Sequence, residues 1–293
     1  MSRLVCFGLG YSARAIASRL RQKGWKVLGT TRSEERAKIL GEEGFDVAIY
    51  SGADRNDELG HELSMATHVL LSIAPGADGD PVHTHFGDLL EQTENLEWIG
   101  YLSTVGVYGD HAGAWVDEQT ALNPKSERSL WRAAAERNWL DFGDRTSKPV
   151  HVFRLAGIYG PGRGPLQNVL SGKARRINKP GQVFNRIHVE DIANIVEASI
   201  AQPHAGAIYN VSDNEPAPPQ DVVAHACELL GRPPPPEITF EEADLTPMGR
   251  SFYGENKRVS NRLVREDLGV TFKYPTYREG LAALVNSLEK RPS

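Results

Sequence analysis

Six residues behind a short apolar run, Gly8-Leu9-Gly10-Tyr11-Ser12-Ala13, have the types and spacing of a phosphate-binding turn. The chemistry is that of an anion cradle. Gly8 permits a tight turn, and Gly10 lets the main chain approach a pyrophosphate closely. Ala13 allows the following helix to pack near the strand, and the helix N-terminus offers unpaired N–H donors. Tyr11 and Ser12 fall at the first helical positions and complete the expected phosphate contacts. Glycines gather at many strand-to-helix turns, so the flanking elements must carry the inference. They do: Leu4–Phe7 reads as a strand, and Ala13, Ile16, Ala17 and Leu20 recur at helical spacing.

A second set of residues bears on which dinucleotide is held. An acid about 20 residues beyond the glycines binds a ribose 2′-hydroxyl in NAD-binding folds. Here the second strand runs out through Thr30-Thr31-Arg32-Ser33, with no carboxylate before Glu34. Thr31 and Arg32 therefore suit a 2′-phosphate, since a guanidinium fork and hydroxyls donate to its oxygens. NADP(H) is expected in preference to NAD(H).

Other chemistries are disfavoured. The formal net charge of -5 gives no basic field for nucleic acid. No apolar stretch approaches the ~20 residues of a membrane span, and the two cysteines, Cys6 and Cys227, suggest a reducing compartment. A cytoplasmic protein is expected, with neither membrane nor nucleic acid as partner. His83 and His85, near Asp78, Asp80 and Asp88, lack the ligand set of a zinc site, so no metal is expected. Neither a G-x-S-x-G elbow nor a G-x-x-x-x-G-K-[ST] loop occurs.

The elements that must position these residues alternate. Strand-like runs fall at Leu4–Phe7, Trp25–Leu28, Phe45–Ile49, Val69–Ile73, Trp98–Leu102 and Val150–Phe153, with helical segments at 33–40, 86–95 and 126–140. Short runs apolar on both faces suit a parallel sheet covered by helices. The predicted class is α/β, a Rossmann-type doubly wound parallel sheet with a small discontinuous C-terminal substrate domain. Residues 1–156 with 182–215 form the NAD(P)-binding part, and 157–181 with 216–293 the substrate-binding part. Pro233–Pro236 predict a stiff surface connection, and Thr276 with Glu279 a capping box on the last helix.

Several segments resemble, in order along the chain, the extended short-chain dehydrogenase/reductase superfamily, and within it the NAD-dependent epimerase/dehydratase family. They are the glycine turn, Ser103-Thr104-Val105-Gly106-Val107-Tyr108-Gly109, Trp115-Val116-Asp117-Glu118, Phe153 through Tyr159-Gly160-Pro161-Gly162, Arg186-Ile187-His188-Val189-Glu190-Asp191, and Tyr209-Asn210-Val211. The resemblance implies about seven strands and hydride chemistry at a nicotinamide. It puts Ala74, Pro75, Ser103 and Gly157 beside the cofactor and Thr104 at the assisting hydroxyl.

The family's Tyr-x-x-x-Lys pair has no counterpart in the expected place. Ala135-Glu136 anchors the comparison and sets Arg128 and Arg132 where tyrosine and lysine belong, and no tyrosine lies between Tyr108 and Tyr159. Arginine cannot serve as a general acid or base. Arg128 and Arg132, one helical turn apart, and Arg163, in a local cluster with Arg175 and Arg176, are instead candidate anion binders for a small acidic or sugar-like substrate. Solvated surface arginines are the competing reading. Tyr108 and His111, close to Thr104 in sequence, are the candidates left for proton transfer. Tyr253 through Lys257 is a chance Tyr-x-x-x-Lys match, interrupted by Gly254. The expected protein is an oxidoreductase, epimerase or dehydratase with an atypical site. A non-catalytic NADP(H) sensor is the alternative, and a homodimer through the 126–140 helix is compatible with either.

Overall fold

Glycine and capping residues cut the first 150 residues into alternating strands and helices in the computed structural model, which describes residues 2–289. The strands are β1 (Arg3–Phe7), β2 (Lys26–Thr31), β3 (Asp46–Ile49), β4 (His68–Leu71) and β5 (Trp98–Thr104). The helices are α1 (Tyr11–Gln22), α2 (Glu34–Glu42), α3 (Asp57–Ser64), α4 (Pro81–Gln92) and α5 (Glu127–Thr146). Strands Val150–Leu155 and Ala207–Val211 follow beyond β5 and complete a seven-stranded sheet in the order β3-β2-β1-β4-β5 and onward. All the pairings from β3 to β5 are parallel, with Val5 beside both Leu28 and Val69. The chain is thus an α/β protein of the Rossmann type, and its order reverses between β1 and β4. In such sheets the crevice at the carboxyl ends of the strands, at that reversal, is where ligands bind.

The sheet strands are apolar on both faces because helices cover both. Phe7, Val69, Leu71, Ile99, Tyr101 and Val152 are fully or nearly fully buried, packed with Phe86, Trp139 and Phe142 from the covering helices. Phe7, Tyr50 and Phe86 meet with ring centroids 5.5 to 5.7 Å apart, which fixes α4 against the ends of β1 and β3.

The helix starts follow their caps. Ser33 accepts the Arg36 N–H at the head of α2, and Asn56 accepts the Leu59 N–H at the head of α3. Asp80 accepts the N–H groups of Val82 and His83, with Pro81 at the first turn of α4. That cap starts α4 at Pro81, five residues earlier than its apolar spacing predicts. β4 ends at Leu71, two residues short of the predicted strand, because the chain turns from Ser72 toward the Gly76–Gly79 bridge.

The chain divides into two compact units. The first holds Met1–Thr104, Glu127–Arg154 and Ala193–Tyr209; the second holds Val105–Ser126, Leu155–Ile192 and Asn210–Ser293. Segments 105–126, 155–156, 182–192 and 210–215, assigned to the nucleotide-binding part from sequence, group with the second unit. Their strands explain it: Trp115–Val116 pairs with Arg258–Val259, and Arg186–His188 pairs with Gly157–Tyr159.

The second unit has its own core of Tyr159, Leu166, Val222, Tyr277 and Leu281. There Asp191, from the His-Val-Glu-Asp segment, accepts the N–H groups of Lys273 and Tyr274 at 2.7 and 3.0 Å. Thr276 and Glu279 form the predicted capping box, with the Glu279 carboxylate accepting the Thr276 N–H at 3.0 Å. Among the described residues no helix is long and apolar enough to cross a membrane.

Candidate dinucleotide site

The first unit carries a cavity of about 580 Å³ at the carboxyl ends of β1 to β4. Its size is that of a small-molecule site. Gly8, Leu9 and Gly10 line it, with Thr31 and Arg32 from the end of β2, Arg36 from α2, Tyr50 and Ser51 after β3, Ser72 and Ala74 after β4, and Thr84 and His85 from α4.

The glycine turn is held from the neighbouring strand. Gly8 N–H donates to Thr30 Oγ1 at 2.9 Å, and Leu9 N–H donates to the Thr30 carbonyl at 2.8 Å. Gly8 has φ +89°, and a Cβ there would lie 3.0 Å from Ile73 Cγ1 and 3.2 Å from the Ile73 nitrogen. Gly10 differs. It caps α1 with no side-chain hydrogen bond, and α1 has no acidic residue in its first turn. Apart from its two chain neighbours, a Cβ at Gly10 would come no closer than 4.0 Å to the protein, at the Gly8 carbonyl. The space in front of Gly10 is open, and the positive end of the α1 dipole faces no competing carboxylate of its own. A dinucleotide fits: the turn and helix end suit a pyrophosphate, and the cavity beyond them suits an adenosine.

The far wall is polar. Tyr50 lies within hydrogen-bonding distance of the Pro81 carbonyl, 3.0 Å, and His85 Nδ1, 2.9 Å. The single hydroxyl proton satisfies both contacts only if Tyr50 donates to Pro81 and His85 donates from Nδ1. Burial, reinforced by the Asp80 charge, pushes the Tyr50 hydroxyl up to about 12, so it stays a donor at neutral pH.

A second constellation lies around the end of β5. Arg132 donates to the Leu102 carbonyl and, at 3.4 Å, to Tyr101 Oη, with its guanidinium 5.6 Å from the Tyr101 ring centroid. One turn further along α5, Glu136 accepts from Ser103 Oγ and from Arg154, whose Nε and Nη2 lie 3.1 and 2.8 Å away. Glu136 and Arg154 are 2 % and 3 % exposed. This buried ion pair locks α5 to β5 and to the strand Val150–Leu155. Arg128 continues the same stripe, exposed, and α5 contains no tyrosine.

The residues singled out from sequence divide accordingly. Gly8, Gly10, Thr31, Arg32 and Ala74 line the cavity, whereas Tyr11, Ser12, Pro75 and Ser103 are not among its lining residues. Ser12 and Pro75 are buried, and the Ser103 hydroxyl is committed to Glu136. Thr104 ends β5, half-buried.

Tyr108, His111, Gly157 and Arg163 belong to the second unit. Tyr108 is buried, and its hydroxyl donates to Asn210 Oδ1 at 2.8 Å. His111 Nε2 lies 3.1 Å from the Tyr108 carbonyl, so Nε2 carries the proton and Nδ1 the lone pair. The loop bearing them is pinned from 255–258: His111 and Gly113 N–H groups donate to the Asn256 carbonyl, and Lys257 Nζ donates to the Gly109 carbonyl at 2.6 Å. Gly157 N–H donates to the Asn185 carbonyl, and Arg163 sits exposed on the Gly160–Arg163 turn.

Sequence reasoning passed over Arg36, Tyr50 and Ser51, and weighed His85 only as a metal ligand. Only Arg36 left a local signal, four residues beyond Arg32 and on the first turn of the helix that Ser33 caps.

A parallel sheet with this reversal, this glycine turn and this cavity defines a Rossmann-type α/β protein. The chain belongs to the NAD dependent epimerase/dehydratase family, whose model matches residues 5–212. It is similar to a conserved protein from Silicibacter pomeroyi DSS, with 50 % identity and a TM-score of 0.90 over 98 % of this chain and 99 % of that one. Protein YeeZ of Escherichia coli K12 is 25 % identical over 287 residues, 94 % of this chain and 97 % of the relative. The dTDP-glucose 4,6-dehydratase of Bacillus anthracis str. Ames, solved in complex with NAD, shares the fold with a TM-score of 0.78 at 18 % identity, over 99 % and 97 % of the two chains.

Proposed function

We propose that this chain is an NADP(H)-preferring oxidoreductase, epimerase or dehydratase acting on a small anionic or sugar-like substrate. The observation that carries the coenzyme reading is the cavity wall at the end of β2. It presents Thr31 and Arg32 where an NAD-specific site would present a carboxylate. Gly8 and Gly10 would hold the pyrophosphate, Thr31 and Arg32 the adenosine ribose end. A nicotinamide bound to this chain would supply hydride donation or acceptance.

The protein's own contribution would be to bind the substrate and move a proton. Thr104 is the assisting hydroxyl, and the candidate anion binders are Arg128 in the first unit and Arg163 in the second. Arg132, tied to Leu102 and Tyr101, would act mainly by fixing α5 and adding positive charge. Of the two candidates for proton transfer, His111 is better supported than Tyr108. Its Nδ1 lone pair is left to accept a proton, whereas the Tyr108 proton is committed to Asn210 in the interior.

That same commitment, with an α5 that lacks tyrosine, favours a second reading: a non-catalytic NADP(H)-binding sensor. Both readings place the protein in the cytoplasm.

The coenzyme reading is tested by fluorescence titration of wild type and Arg32→Asp with NADPH and NADH. Wild type should favour NADPH. The variant should lose about 10- to 100-fold in NADPH affinity, because a charge-assisted contact becomes a repulsion, and should gain for NADH. An unchanged preference would remove Arg32 from the site. Oxidation of bound NADPH in a screen of acidic sugars and carboxylates separates enzyme from sensor.

A further inference from the structure

We propose that Arg36 is a second guanidinium in the 2′-phosphate site and that the pair Arg32–Arg36, rather than Arg32 alone, sets the coenzyme preference; this rests on the NADP(H) reading above. Both side chains line the same cavity, and they are four residues apart. Arg32 leaves the end of β2, and Arg36 lies on the first turn of α2, where the Ser33 cap fixes the helix start.

The electrostatics favour an anion between them. Neither guanidinium has a hydrogen-bond or ion-pair partner among the described residues. Their neighbours do: Arg14 pairs with Glu43 at 2.9 Å, and Arg21 donates to the Gly44 carbonyl at 2.5 Å. Arg36 is also half-buried. A partly desolvated cation without a partner is costly, and the cost is recovered when an anion enters. Glu34 and Glu35, although adjacent in sequence, do not line the cavity. Among its lining residues the only carboxylate is Asp78, on the turn after β4. Two cations against one anion leave a net positive wall beside the hydroxyls of Thr31 and Ser51. A phosphate monoester carries close to two negative charges at neutral pH, more than one guanidinium neutralises.

An alternative occupant for Arg36 is the adenine face, on which a guanidinium stacks. That contact would serve NADPH and NADH equally, so the two roles are separable by measurement. Wild type, Arg36→Gln, Arg36→Lys and Arg32→Gln would be titrated calorimetrically with NADPH, NADH and 2′,5′-ADP. Arg36→Gln should weaken NADPH and 2′,5′-ADP by about 10- to 100-fold and leave NADH affinity unchanged, which also certifies the fold. Arg36→Lys should recover part of the loss, keeping charge without the fork.

Equal losses for NADPH and NADH would assign Arg36 to adenine and overturn the proposal. So would NADPH affinity that survives Arg36→Gln while falling in Arg32→Gln, although the NADP(H) reading would then stand. Tighter binding of NADH than NADPH by wild type would sink that reading, and the Arg36 role with it.

Discussion

Arg154→Met is expected to cost about 3–5 kcal/mol of stability, the loss typical of breaking a buried ion pair from one side. For a chain of this size that corresponds to a fall in melting temperature of roughly 5–8 °C. The reason is what remains. Glu136 is 2 % exposed and would keep only the Ser103 hydroxyl as a partner, so a carboxylate would stay buried with its charge uncompensated. The double variant Glu136→Gln/Arg154→Met should recover most of the loss, since an amide still accepts from Ser103 and no charge is stranded. Thermal unfolding of the four proteins in the cycle checks this. Additive losses would mean that Glu136 and Arg154 act separately. The pair also bears on the site, because Glu136 ends the stripe that carries Arg128 and Arg132.

The second large effect separates binding from folding at the glycine turn. Gly8→Ala must hold a side chain at φ +89° and press a Cβ against Ile73, so it should destabilise the first unit by about 1–3 kcal/mol. Apart from its two chain neighbours, Gly10→Ala meets no protein atom within 4.0 Å except the Gly8 carbonyl, at φ -84°. It should melt within about 2 °C of wild type. Its methyl group nonetheless occupies the space through which a pyrophosphate reaches the backbone. Affinity for NADPH and NADH should therefore fall by more than about 100-fold together. Melting curves beside coenzyme titrations read both quantities. A Gly10→Ala protein that binds like wild type would mean that the ligand does not approach this turn.

The parts of this site that could be read from sequence are the local ones. Gly8, Gly10 and Arg32 sit within one strand–turn–helix unit or directly after a strand, so periodicity fixes their places. Tyr50 and His85 come from the end of β3 and from α4, 35 residues apart, and meet through a hydrogen bond and an edge-on ring contact. Nothing in their local sequence marks that meeting. α3 escaped notice because its apolar face is short, Leu59 and Leu63, and its start depends on the Asn56 cap. Segment 105–126 follows β5 directly, which argued for the first unit. Its pairing partner, Arg258–Val259, lies some 140 residues away, and a non-local pairing of that kind leaves no trace in periodicity. The Ser103–Glu136–Arg154 network was likewise invisible. Each residue was noted in its own segment, but only the fold brings three polar side chains together where the burial of each requires the others.

The central property of the molecule is whether the cavity above Gly8 and Gly10 holds a dinucleotide. Isothermal titration of the wild-type chain with NADPH, repeated with NADH, measures it. The predicted result is saturable binding of one NADPH per chain, tighter than NADH and displaced by 2′,5′-ADP. No binding of either coenzyme up to about 1 mM, a binding free energy of only about −4 kcal/mol, would contradict it.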